Sequence, residues 1–169
     1  MAPMAKTKRM KRLKLPAGGD GGEPLRRIKE SVKEERVCDV NGLEVRYLVF
    51  PWSGEDDPIG GYDEEGAILV SENVVSAHPD DADLTAFHEQ LEINHKRAGR
   101  SHAYAHRKAL QDELLAAKQL FAQPGQLRDY LGRRLKPYPA WKVKDKRDVE
   151  TRLYDILLAL RPKKGELLQ

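Results

Sequence analysis

Apolar positions along the chain change period twice. Behind Pro24, the residues Leu25, Ile28 and Val32 recur at helical spacing and predict a short first helix. The period then becomes that of a strand. Val37-Cys38-Asp39-Val40 and Leu43-Glu44-Val45-Arg46-Tyr47-Leu48-Val49-Phe50 are β-prone runs on either side of Asn41-Gly42, the dipeptide that favours a two-residue hairpin turn. A polar loop from Pro51 through Gly60-Gly61 follows, and Gly66-Ala67-Ile68-Leu69-Val70-Ser71 reads as a third strand.

Helical signals dominate from Asp80 onward. Asp80, Asp81 and Asp83 offer cap and first-turn carboxylates to a helix over 84–98 that Gly99 ends. Ser101 can cap a second helix reaching Leu120, before Pro124-Gly125. Two more helices are expected, over 127–135 and 146–160, separated by Lys136-Pro137-Tyr138-Pro139. The pattern implies an α+β fold with a small antiparallel sheet of about three strands and a mainly helical C-terminal half. It contains no internal repeat.

Composition narrows the class. A chain of 169 residues suits one domain, expected over 24–169, behind a basic and glycine-rich leader at 1–23. With 34% charged residues, the core must be modest and the surface heavily charged. The longest apolar runs, such as Ile156-Leu157-Leu158-Ala159-Leu160, fall far short of the roughly 18 residues that cross a bilayer. The leader lacks the apolar stretch of a secretory signal, and the single Cys38 can form no internal disulfide. A soluble, cytoplasmic protein without a membrane partner is the expectation.

Charge is segregated. Residues 1–14 carry six Lys or Arg and no acid, 37–87 hold twelve Asp or Glu against Arg46 alone, and 88–169 hold eighteen Lys or Arg against ten Asp or Glu. The basic leader is either a solvated tail or a weak contact for nucleic-acid phosphates.

The chemistry concentrates in the hairpin 84–113. His88, His95, His102 and His106, four of the five histidines, fall within nineteen residues. At about 100° per residue, His88, Glu92 and His95 share a stripe with the apolar face of the first helix. On the second, His102, His106 and Glu113 lie on the face of Ala109, Ala117 and Leu120. The short connection at 96–100 contains a glycine and folds the helices antiparallel with these faces opposed. Burying such groups unpaired would cost about 1–3 kcal/mol each. Either they ligate a divalent metal, for which imidazole and carboxylate are ordinary ligands, or they satisfy one another as His–Glu pairs.

Phe87-His88-Glu89-Gln90-Leu91-Glu92, preceded by the strand-like run 66–73, resembles the core of the small zincin metallopeptidases, covering roughly residues 66–113. In that family an edge strand precedes a helix bearing His-Glu-x-x-His, and the next helix adds a ligand. The resemblance implies a zinc-dependent hydrolase, most simply a peptidase acting on peptide or protein substrates. Zinc, or another divalent transition metal, would be held by His88, Glu92 and a third group among His102 and His106, with His95 and Glu113 as alternates, and Glu89 would be the general base. Glu92 stands where the family has histidine. A carboxylate neutralises more of the metal's charge than an imidazole does.

Other chemistry is weaker. Cys38 has no histidine near it in sequence to activate a thiol, and Gly60-Gly61 lacks the Lys-Ser/Thr of a phosphate loop. Asn94-His95 sits mid-helix, unlike the His-Asn-His nucleases, and Trp52, Trp141 and Tyr138 beside prolines suit loop anchors better than base stacking. The rival to an enzyme is a non-catalytic helical interaction or nucleic-acid-associated protein whose His/Glu cluster is structural.

Overall fold

The computed structural model describes residues 32–51, 60–63, 65–135, 149–159 and 161. The leader at 1–23, residues 24–31 of the expected first helix, and Trp52, Tyr138 and Trp141 lie outside the described residues.

Strands β1 (Glu34–Val40) and β2 (Leu43–Phe50) form the expected hairpin, with Val40 opposite Leu43. Asn41 and Gly42 both take positive φ, 53° and 81°, which is what a two-residue turn matching the strand twist demands. The Asp39 carboxylate accepts a hydrogen bond from the Gly42 N–H at 2.9 Å. Two further strands, β3 (Gly60–Tyr62) and β4 (Ile68–Ser71), complete a four-stranded sheet of order β1-β2-β4-β3.

The sheet is mixed, which corrects the antiparallel expectation. β4 runs parallel to β2, with Tyr47 opposite Ile68 and Phe50 opposite Ser71, while β3 pairs antiparallel with β4 on the edge. Parallel neighbours need a connection of about a dozen residues or more, and 51–67 supplies that length. The short helix α1 (Glu72–Ala77) follows directly and had no counterpart in the periodicity.

Helix α2 (Pro79–Arg97) begins five residues before Leu84, because Pro79 itself sits at the first helical position, with Asp80 and Asp81 in the first turn. Asp83 does not cap. Its carboxylate instead accepts a 2.8 Å hydrogen bond from the Tyr47 hydroxyl, joining helix to sheet. Gly99 follows with φ 81°, and α3 (His102–Leu120) starts where Ser101 Oγ accepts from the Tyr104 N–H at 3.2 Å. Helices α4 (Pro124–Leu135) and α5 (Val149–Ala159) lie close to the expected spans.

Alternation in β2 buries Val45, Tyr47 and Val49, which join Ile68 and Val70 in one apolar cluster with Leu84, Phe87 and Ile93 of α2 and Leu110, Leu114 and Ala117 of α3. Leu127, Tyr130 and Leu131 of α4 pack into the same cluster. The α2–α3 hairpin is thus held on both sides, which gives its inward polar groups a rigid frame. No helix among the described residues is long and apolar enough to cross a membrane.

Candidate metal centre

Between α2 and α3 three charged or polar side chains are withdrawn from water: His88 is 2% exposed, Glu92 3% and Glu113 0%. Such groups persist in a core only if they are paired. Glu92 is the hub. Its Oε2 lies 3.6 Å from His88 Nε2 and 3.2 Å from His106 Nδ1. Its Oε1 lies 3.0 Å from His102 Nδ1 and accepts a 2.8 Å hydrogen bond from the Tyr62 hydroxyl. Burial pushes the Glu92 carboxyl up, but His106, His88 and Tyr62 outweigh it and hold the group well below the usual carboxylate range.

Glu113 plays a different part. It receives the Arg134 guanidinium in two-pronged fashion, Nε at 2.5 Å from Oε1 and a second nitrogen at 3.0 Å from Oε2, and also accepts from the Tyr130 hydroxyl. Its Oε2 lies 2.8 Å from His88 Nδ1, within ion-pair reach although the two atoms are not aligned as a hydrogen bond. Burial raises the Glu113 carboxyl, and Arg134 and His88 more than reverse that, so it too is held well below its ordinary value. For His88, burial pulls the imidazole down while Glu113 and Glu92 push it up, and the carboxylates win, at about 9.

The six ligand candidates therefore separate by the partners they meet across the hairpin. His88, Glu92 and His106 each offer one atom, and these atoms all lie within 4.8 Å of one another. His102 faces the outer oxygen of Glu92, at the rim, with its side chain 45% exposed. Glu113 stands behind His88, on the ring nitrogen turned away from Glu92. His95 points elsewhere: its ring meets Tyr104 edge-to-face at 5.6 Å. Tyr104 lies in the first turn of α3, the same turn from which His102 reaches Glu92, so the two side chains of that turn take different partners on α2. Glu89, next to His88, is half-buried; burial raises its carboxyl, opposed first by His88.

Four contributors carried no advance signal. Tyr62 comes from β3, whose two glycines look like loop. Tyr130 and Arg134 are one turn apart on α4 and read as an ordinary helix face. Lys96, whose Nζ donates to the Tyr62 hydroxyl at 3.1 Å, reads as a solvated lysine.

Comparison of the chain with protein-family models, curated proteins and solved structures gave no match.

Proposed function

We propose that His88, Glu92 and His106 hold a divalent transition metal, zinc first, and that the protein is a zincin-like metal-dependent hydrolase acting on peptide bonds. One observation carries the metal reading. Tetrahedral ligands bound at about 2.0–2.2 Å stand roughly 3.3–3.6 Å from one another; Glu92 Oε2 lies 3.6 Å from His88 Nε2 and 3.2 Å from His106 Nδ1, and the three ligand atoms all lie within 4.8 Å of one another. The donor set of two imidazoles and one carboxylate suits zinc, and three ligands leave a position open for substrate.

Glu89, Glu92 and Glu113 bring three carboxylates, against which stand the Arg134 guanidinium paired with Glu113, the Lys96 ammonium behind Tyr62 and the His88 imidazole, raised to about 9. A divalent cation at His88 Nε2 would take the place of the imidazole's proton. Glu113, 2.8 Å from His88 Nδ1 as an ion-pair neighbour, occupies that side of the ring and leaves Nε2 facing Glu92 as the candidate ligating nitrogen. A bound ion of this kind polarises a carbonyl and activates water. Glu89, adjacent to His88 on the helix, would take the proton, the role that the resemblance to the zincin helix gives it.

Elemental analysis of protein purified without added metal, followed by digestion of a broad peptide mixture, tests the reading. Stoichiometric metal and cleavage that Glu89→Gln abolishes while keeping the metal are expected. Protein loaded with zinc that cleaves no peptide would remove the hydrolase.

A second reading, a structural His/Glu cluster in a non-catalytic interaction protein, is favoured by the partners that Glu92 already has in Tyr62, His102 and His106. Absence of tight metal binding would select it.

A further inference from the structure

The metal centre has an outer layer whose polarity is fixed by chemistry alone. Lys96 is a donor with no acceptor, and an ionised carboxylate accepts only. The Tyr62 hydroxyl, 3.1 Å from Lys96 Nζ and 2.8 Å from Glu92 Oε1, must therefore accept from the lysine and donate to the glutamate. The chain runs from an exposed ammonium, through a phenol 7% exposed, to a carboxylate 3% exposed.

We propose that Lys96 and Tyr62 are positioning residues that tune this metal centre, holding Glu92 as a one-oxygen ligand and withdrawing part of the negative charge it brings in place of a histidine. The inference rests on the metal reading above. Tyr62 occupies Oε1, on the side of the carboxylate away from His88 and His106, so only Oε2 is presented to the shared position. A donor on the outer oxygen draws electron density from the inner one, and the ammonium behind the phenol polarises that donor further, since hydrogen bonds in series strengthen one another. A carboxylate ligand weakens a zinc ion as a Lewis acid; this chain acts in the opposite sense.

The two residues then have effects of opposite sign on affinity. Tyr62→Phe keeps the buried ring and removes the hydroxyl, and zinc binding is expected to weaken by about 10–100-fold, as for other outer-layer partners of metal ligands. Lys96→Met removes a positive charge that repels the ion, and binding is expected to tighten by about two- to fivefold at low salt, the gain shrinking as salt is added. Lys96→Arg should resemble the parent.

Zinc affinity is measured on the full chain by competition with a chromophoric chelator, and cobalt(II) is then substituted to record the visible spectrum against pH. In both Tyr62→Phe and Lys96→Met the pH-dependent change of the cobalt spectrum should move to higher pH, a shift that mere packing support would not produce. A parent protein that binds metal, with Lys96→Met binding equally or more weakly, or with a cobalt profile unmoved in both variants, overturns the tuning alone. A parent that binds neither zinc nor cobalt overturns the metal centre and the tuning with it. Should Tyr62→Phe fail to fold, the exposed Lys96→Met variant decides the matter.

Discussion

His88 Nδ1 and Glu113 Oε2 lie 2.8 Å apart across the interface of α2 and α3, and Arg134 of α4 holds the same carboxylate from the other side. Three helices thus meet on one buried charge. Glu113→Gln keeps the shape and removes the charge that Arg134 and His88 share. Breaking a buried pair of this kind costs about 3–5 kcal/mol. Urea unfolding at neutral pH measures it, and a loss under 1 kcal/mol would mean that the carboxylate is not the anchor its contacts imply.

The same contacts set the pH response of the metal-free protein. Glu92 and Glu113 are held below their ordinary value of 4.5, so the stability they contribute is present above that pH and drains away as pH falls through their lower folded values. His88 is raised from 6.5 to about 9, so its contribution is complete below 6.5 and is lost as pH rises through 9. In chelator, the summed contribution of these three groups should be greatest between about 4.5 and 6.5, and because the raised Glu89 carboxyl loses stability as pH climbs above 4.5, the urea midpoint should peak toward the acid end of that range and fall on both sides. His88→Gln should flatten the alkaline limb; an alkaline limb unchanged by that substitution would assign it to another group.

How far the amino-acid pattern reached into this site follows from what each signal is made of. Asn41-Gly42, Gly99 and Ser101 are local turn and cap chemistry, so the hairpin and the ends of α2 and α3 were legible. Strand direction is not: alternation is the same in both directions, and the parallel pairing of β2 with β4 had no trace in it. β3 was lost because Gly60 and Gly61 carry no side-chain pattern, and Tyr62 was lost with it. A helical wheel places His88, Glu92, His95, His102, His106 and Glu113 on inward faces but says nothing of which partner each side chain takes across the interface. His95 turns to Tyr104, while His88, His102 and His106 turn to Glu92.

Cys38 tests the sheet end of the molecule independently. Burial, then the Asp83 charge, pushes its thiol up to about 12. Only the thiolate is nucleophilic, so at pH 8 alkylation by iodoacetamide should run about a thousandfold slower than for a thiol at the ordinary value of 9. Labelling followed by mass spectrometry should show slow reaction in buffer and rapid reaction in denaturant. Fast labelling of the native protein would place the thiol in solvent.

His102 and His106 provide the sharpest test of the ligand assignment, because they are four residues apart on one face of α3 and differ in which oxygen of Glu92 they meet. His106 Nδ1 is 3.2 Å from Oε2, the oxygen nearest His88, and its ring is 5.1 Å from the His88 ring. His102 Nδ1 is 3.0 Å from Oε1, the oxygen that Tyr62 also holds. A ligand and an outer partner are expected to differ in cost: removing one of three protein ligands should abolish tight binding, whereas losing an outer contact typically costs about 10–100-fold. His106→Ala should therefore yield protein that does not retain stoichiometric zinc through dialysis against a weak chelator, while His102→Ala retains it with reduced affinity. Both side chains are partly exposed, so both variants should fold, and circular dichroism with a urea midpoint near that of the parent verifies it. If His102→Ala lost zinc and His106→Ala kept it, the two roles would be exchanged and the ion would sit at the rim of the hairpin.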